Sequence, residues 1–386
     1  MSGLVRSIVA LAVVAGSLLL YPASVSPALA PPSPNVEVRL ASAVAAVLRR
    51  NADPQVPVVY PSQAYPYPYL RDSFWLLQAM NDRRLSLHVL DEFVAALSPD
   101  GNPPTYFARA YARPSYHQDD SAALVLIWSY LNRRRFGAAP PINRLQRVLS
   151  NLLSRARGGY FITPAGPYTG WWDAYAMPRS GTLSYDQGLY AVALRCASAL
   201  GLHVPNGAIR QAERAYRALY DRRLGYMPLG TAFPASDASA LSGEFLSLWM
   251  FHHPMLPDSI VFSTLHHLAP FGPGFHVMST TSLSSLGLNG YLPSGLFGKP
   301  GDYQNGASWL LYDALTIGAA GLHGWRGALQ RLHQRLELEF EHGAVLHEYL
   351  QTERSLPYYS SEPTWRDNFS WDAFTLVIVH ALRQGA

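Results

Sequence analysis

The stretch Ser184-Tyr185-Asp186-Gln187-Gly188-Leu189-Tyr190 places a hydroxyl, an acid and an amide at the head of an apolar run that keeps a helical period to about residue 201. The same style of opening recurs along the chain. It reads Arg71-Asp72-Ser73-Phe74-Trp75, then His117-Gln118-Asp119-Asp120-Ser121, then Ser236-Asp237-Ala238-Ser239. It returns as Gly301-Asp302-Tyr303-Gln304-Asn305-Gly306 and as Asp367-Asn368-Phe369-Ser370-Trp371-Asp372. Asp, Ser and Asn are favoured at helix N-termini, where they accept free backbone N–H groups and meet the positive end of the dipole, so one or two such openings carry no further meaning. Six of them, roughly fifty to seventy residues apart, read as a repeat.

Helical periodicity predicts helices over 36–50, 70–81, 85–97, 119–135, 141–155, 184–201, 206–220, 237–252, 258–268, 302–322, 325–341 and 368–383, with few extended alternating runs. The acid-led openings fall on alternate helices. The helices between them, such as Arg144 to Ser154, Ile209 to Tyr220 and Trp325 to Phe340, carry Arg, Gln and Glu on one face, as surface helices do. Short breaks such as Ala138-Ala139-Pro140-Pro141 and Gly321-Leu322-His323-Gly324 favour antiparallel neighbours. The pattern predicts an all-α chain closed into a ring, an (α/α)6 barrel of about twelve helices. Its inner helices start at one rim and aim polar first turns at a shared pocket.

Composition narrows the class. With 49% hydrophobic and 15% charged residues in 386, the chain suits a compact enzyme better than a disordered or fibrous protein. The formal charge of +4 comes from scattered arginines, and the longest basic run, Arg133-Arg134-Arg135, reads as a solvated helix end, so no nucleic-acid partner is expected. Residues 1–30 read as a secretory signal: Arg6, an apolar run from Ile8 to Leu20, and a small-x-small site at Ala28-Leu29-Ala30. A Pro-rich linker over 31–35 and a single catalytic domain over 36–386 follow, in a secreted or periplasmic protein. An uncleaved anchor is the alternative, and no other membrane contact is expected. Cys196 is the only cysteine and reads as buried helix packing; no internal disulfide can form.

Two loops are richer than linkers need to be. One runs from Gly158-Gly159-Tyr160-Phe161 to Trp171-Trp172-Asp173-Ala174-Tyr175-Ala176-Met177-Pro178-Arg179; the other runs from His347-Glu348-Tyr349-Leu350-Gln351 to Trp365-Arg366. Aromatic rings beside single carboxylates suit sugars, which offer an apolar face to stack on and a hydroxyl rim to hydrogen-bond. Glycosidic cleavage needs one carboxylic acid to protonate the leaving oxygen and a second carboxylate opposite it. Asp173, among Trp171, Trp172 and Tyr175, is placed to be desolvated into a general acid. Glu348 is the matching base, with Glu353, Glu362 and Asp372 as rivals in the same region.

The remaining expected substrate contacts are Arg71, Asp72, Asp119, Arg179, Asp186, Gln187, Tyr303, Gln304 and Asn305. For Asp72, Asp119 and Asp186 capping is an equal alternative, and for Gln304 and Asn305 the alternative is an Asn-Gly turn. Trp75, Trp171, Trp172, Trp309 and Trp371 are candidate sugar platforms, core packing being the alternative for those on helices.

These motifs resemble the six-hairpin glycosidase superfamily, in particular its trehalase and processing α-glucosidase I branch and the bacterial sugar-glycerate hydrolases. Gly170-Trp171-Trp172-Asp173 is similar to the loop that carries the general acid there, and Glu348-Tyr349 to the Glu-Lys-Tyr element that carries the base. Arg71-Asp72-Ser73-Phe74-Trp75, Tyr303-Gln304-Asn305-Gly306-Ala307-Ser308-Trp309 and Phe369-Ser370-Trp371 match three further elements in order. Trp172 is an extra residue, the lysine is missing, and Ser370 stands where a glycine is usual. The resemblance implies an inverting hydrolase of a small oligosaccharide or short glycoside that needs no cofactor.

Two other classes stay open. A polysaccharide lyase on the same toroid would use Tyr116-His117-Gln118 beside Arg113, and a non-catalytic carbohydrate-binding protein would keep the ring without turnover. The histidines His252-His253, His266-His267 and His276 lack the spacing that puts two metal ligands on one helix face, so no metal is expected.

Overall fold

The computed structural model describes residues 35–53, 56–62, 65–109, 111–177, 179–268, 270–275, 307–343, 345–351, 356–357 and 369–385. The expected signal, most of the linker, His276 and Tyr303, Gln304 and Asn305 lie outside the described residues, as do Asp302, Glu353 and Glu362. Within them the periodic runs form twelve helices. These are α1 Val36–Asn51, α2 Leu70–Ala79, α3 Arg83–Ala95, α4 Ser121–Phe136, α5 Ile142–Ser154 and α6 Ser184–Ala199. They continue with α7 Ala208–Ala218, α8 Ser242–Phe251, α9 Asp258–His267, α10 Leu310–Leu322, α11 Ala328–Glu339 and α12 Thr375–Gly385.

Each even-numbered helix packs on the next, and α12 returns to α2, so the six close a ring; the odd-numbered helices pack outside it. This is the (α/α)6 barrel. Burial follows position. In α2 every residue from Leu70 to Gln78 is buried, and in α10 every residue from Leu310 to Ala320. A helix apolar on all sides belongs inside, and these have neighbours on every face. The outer α5 buries only Leu145, Val148, Leu149, Asn151 and Leu152, the single stripe that a 3.6-residue period gives.

One inner crossing depends on two missing side chains. A Cβ on Gly188 of α6 would stand 2.9 Å from the Cα of Gly243 of α8, and a Cβ on Gly243 would meet the backbone of Gly188 in turn. Only a glycine pair lets these two backbones approach so closely.

The arginine triplet at the end of α4 is exposed, as expected, and it also ties the ring together. Arg133 donates to the carbonyl of Leu200 at the end of α6 (3.2 Å) and Arg134 to that of Met250 in the last turn of α8 (2.6 Å). Arg135 donates to Gln78 (3.2 Å) and Met80 (2.6 Å) at the end of α2. Final-turn carbonyls lack intrahelical partners and carry the negative end of the dipole, so guanidinium groups suit them.

Differences from the expected elements lie mostly in the links. Six short antiparallel hairpins occur where loops were expected: β1 Tyr106–Arg109 with β2 Ala112–Ser115, β3 Ala156–Arg157 with β4 Tyr160–Phe161, and β5 Gly166–Thr169 with β6 Trp172–Met177. The others pair β7 Pro228–Gly230 with β8 Phe233–Ser236, β9 Pro270–Phe271 with β10 Gly274–Phe275, and β11 Leu350–Gln351 with β12 Leu356–Pro357. Strands of two to six residues are too short to show a period of two. Helix α10 begins at Leu310, later than the expected 302, because Ser308 pairs its N–H and C=O with Leu350 and holds the chain extended. The last helix opens as a 3-10 turn, Trp371–Phe374, after Phe369 and Ser370 donate to Leu346 and Pro61. No helix among the described residues is long and apolar enough to cross a membrane.

Candidate active site

The N-terminal ends of α2, α4 and α12 meet loops at one mouth of the ring. There Pro61, Tyr65, Tyr69, Arg71, Asp72, Gln118, Glu348, Phe369 and Trp371 line a pocket of about 50 Å³. That volume would hold a few waters, on the scale of about 10–15 Å³ for one. Glu348 is 3% exposed, and the hydroxyl of Tyr65 donates to its Oε1 at 3.3 Å. Its neighbours fix it. Glu339 accepts from the backbone N–H of His347 at 2.8 Å and pairs with its Nδ1 at 3.0 Å, while Arg335 holds Glu339 at 2.8 Å. On the other side Tyr349 stacks on Trp309, centroids 5.2 Å apart. Burial opposes the charge of Glu339, but Arg335 and His347 outweigh it and hold the carboxyl down to about 2.

Asp173 lies on β6, whose hairpin with β5 turns at Gly170. Its side chain, with that of Trp172, lies outside the described residues. Gly170 takes φ +58°, and a Cβ there would stand 2.6 Å from Oδ1 of Asp186. Arg71 donates through Nη2 to the carbonyl of Gly170 (2.5 Å) and through Nη1 to that of Trp171 (3.3 Å). Its Nε meets Asp120 at 2.6 Å. Burial opposes the charge of Arg71, but Asp120, Tyr312 and Tyr185 together outweigh burial and raise the guanidinium further above its ordinary range. Arg71, expected to bind substrate, thus spends most of its donors on protein groups at the pocket wall. Trp171 is fully buried, its ring 5.3 Å from Trp309. Trp309 therefore touches both the ring two residues before Asp173 and the ring that follows Glu348.

Behind the turn lie Asp119, Asp120 and Asp186, all buried. Asp119 pairs with Arg155 at 2.5 Å, yet burial outweighs that partner and pushes its carboxyl up to about 6. Asp186 accepts from Thr163 at 3.0 Å; burial first, then repulsion from Asp119 and Asp120, drive it well above the usual carboxylate range. The rival base Asp372 is also fully buried and raised, by burial first and then by the charge of Glu339; its Oδ1 accepts from the N–H of Leu311 at 2.9 Å, capping α10 from outside.

Among the expected site residues, the structure brings the substrate contacts Arg71, Asp72 and Trp371 and the expected base Glu348 to one pocket. Others have different surroundings. Trp75 is fully buried against Phe74 and Phe374, so it packs the core. Gln187 holds backbone, accepting from Phe161 and donating to Gly159 and Ala212. Asp119 and Asp186 bind Arg155 and Thr163, and Trp309 lies beneath the wall. Arg179 is exposed past the end of β6. Sequence reasoning missed Tyr65 and Tyr69, although the alternation Tyr65-Pro66-Tyr67-Pro68-Tyr69 is a stiff aromatic row that could have marked a wall. It also missed Asp313, which accepts from Arg335 (2.6 Å), Ser308 (2.6 Å) and the N–H of Phe275 (2.9 Å).

For a lyase centre, the hydroxyl of Tyr116 is committed to the carbonyl of Ala96 at 2.7 Å and the ring of His117 to Ser115 at 2.5 Å. Among the described residues no group of three or more His, Cys, Asp or Glu side chains is arranged to hold a metal ion.

No family model matches the chain, and no curated protein is similar to it. Solved structures are. A GH63 mannosylglycerate hydrolase from Thermus thermophilus, in complex with glucose, is similar over 88% of this chain and 99% of its own, with a TM-score of 0.62 and 16% identity. A glycosidase variant in complex with glucose is similar over 90% of this chain and 97% of its own, with a TM-score of 0.60 and 17% identity. An uncharacterized conserved protein from Thermus thermophilus gives 88%, 99%, 0.60 and 17% for the same quantities. At such identity the likeness speaks for architecture, and this chain has the (α/α)6-barrel fold of these glycosidases.

Proposed function

We propose that the protein is an exported glycoside hydrolase in which Asp173 is the general acid and Glu348 the general base. One observation carries the reading: Glu348 and Arg71 share a pocket wall, and Arg71 grips the turn two residues before Asp173. Elements far apart in the chain are thereby tied to one mouth of the ring. In the reaction, Asp173 protonates the glycosidic oxygen as the bond to the anomeric carbon breaks. Glu348 takes a proton from a water that attacks the opposite face, which inverts the anomeric centre. Trp371, Phe369 and Tyr65 offer ring surface for the sugar's C–H face, and Asp72 and Gln118 offer acceptors and donors for its hydroxyl rim.

The substrate class is a short glycoside. Similar structures include a mannosylglycerate hydrolase holding glucose and the same enzyme holding D-glycerate, which supports a single sugar joined to a small acid as the first substrate to try. The test is to incubate the purified protein with such glycosides and with disaccharides and to follow the products by anomer-resolved NMR. Free sugar of inverted configuration is expected. Retained configuration would overturn the mechanism, and tight binding without turnover would make the protein a sugar-binding module.

A further inference from the structure

We propose that Asp120 is a positioning residue for the general acid: its carboxylate orients Arg71 to clamp the Gly170–Trp171 turn, and that turn sets where Asp173 stands. The inference rests on the reading of Asp173 as the acid. Asp120 and Arg71 are 2% and 3% exposed, so the pair is screened little by solvent. The Arg71 side chain is used in a divided way. Its Nε meets Asp120 at 2.6 Å, which leaves both terminal nitrogens facing the carbonyls of Gly170 and Trp171. Asp120 Oδ2 also accepts from the hydroxyl of Tyr185 at 3.3 Å, so one carboxylate oxygen joins α2, the head of α4, α6 and the acid-bearing hairpin. Gly170 also packs on the Asp186 carboxylate: at φ +58° a Cβ there would stand 2.6 Å from its Oδ1, so the carboxylate or the turn would have to shift. The turn is thus held by the Arg71 donors and packed on the Asp186 carboxylate.

The chemistry supplies a readout that a merely structural role would not move. An alkyl glycoside needs its leaving oxygen protonated, whereas a dinitrophenolate leaves without help. Purified Asp120→Asn is therefore compared with the parent on methyl and dinitrophenyl glycosides of the same accepted sugar. Loss of positioning should remove part of the roughly 10²–10⁴-fold that a placed acid contributes. The expected result is a kcat about 10–100-fold lower on the methyl glycoside, with little change on the dinitrophenyl glycoside and an unchanged KM. Equal slowing of both substrates overturns the positioning role.

Asp173→Asn runs alongside and should show the same selectivity, more strongly. If Asp173→Asn slows both substrates equally, the reading of Asp173 fails and the proposal with it. If only Asp120→Asn does so, the proposal fails alone. Should Asp120→Asn not fold, Gly170→Ala tests the same turn with the ion pair intact, and it must show the same selective loss for the proposal to stand.

Discussion

The two mouths of the barrel gather opposite residue types, acids at one and arginines at the other. Around the N-terminal ends of the inner helices stand Asp72, Asp119, Asp120, Asp186, Asp237 and Asp372; around the C-terminal ends stand Arg133, Arg134 and Arg135, the last two lining a cavity of about 620 Å³ with Gln78, Trp249, His252 and Gln384. Helix dipoles alone favour that segregation. The wiring differs, however. At the C-terminal mouth each arginine meets a final-turn carbonyl, as a capping group should. At the N-terminal mouth Asp237 accepts from its own following turn, at Ser239. Asp119, Asp120, Asp186 and Asp372 turn to other elements instead. Dipoles explain which residue types gather at each mouth. The cross-links explain why the acidic side chains of the N-terminal mouth are held by distant elements rather than by their own helices.

The sharpest break would come from the proposed base. Glu348→Gln should lower kcat by about 10²–10⁴-fold while leaving the thermal unfolding midpoint nearly unchanged. Steady-state kinetics beside a melting curve checks both, and near-parental turnover would move the base elsewhere. The next largest effect should fall between the two mouths. In Gly243→Ala the added methyl meets the Gly188 backbone, which cannot swing aside. Overpacking costs about 1–3 kcal/mol and more where backbone must shift, so about 3 kcal/mol is expected. Urea unfolding would show it, and a change under about 1 kcal/mol would mean that α6 and α8 separate easily.

The ring was legible because its evidence is periodic: acid-led openings recur, and inner and outer helices differ in polarity over many residues. The hairpins were not, because Trp172–Met177 and its shorter counterparts carry too few residues for a period to emerge. That Glu348 lines the pocket could be anticipated because it stands beside His347 and Tyr349 in a segment without helical pattern. The role of Arg71 could not, since its partners Asp120, Gly170 and Trp171 are distant in sequence and two of them contribute only carbonyls. Tryptophan is ambiguous in sequence: Trp75 reads the same whether it faces a sugar or Phe374, and packing decides that question.

The acidic mouth should also show itself in stability against pH. Asp119 has a folded value of about 6 against an ordinary 3.8, so between those values the folded chain holds more proton than the unfolded one. Stability from this group is therefore present at pH 4 and falls as pH rises toward 6, by on the order of 2–3 kcal/mol. Glu339 acts in the opposite sense. With a folded value of about 2 against 4.5, it contributes above pH 4.5 and is lost as pH falls toward 2. Urea midpoints measured from pH 4.5 to 7, above the range where Glu339 acts, should decline toward pH 6 in the parent and much less in Asp119→Asn, which also relieves Asp186. Parallel curves for the two proteins would remove Asp119 from the account.

The smallest effect belongs to the basic mouth, where the comparison is easiest to spoil. Arg134→Ala removes one charge-assisted bond to the Met250 carbonyl, and the side chain stands partly in solvent. About 1 kcal/mol of stability should go, with a drop of a few degrees at most in Tm and no change in kcat or KM. Arg134→Lys should recover part of the loss, since an ammonium still meets the dipole but reaches the carbonyl less surely. A fall in kcat without a fall in Tm would show that the basic mouth communicates with the acidic one through the inner helices. In that case dipole matching would no longer suffice to explain why the arginines stand there.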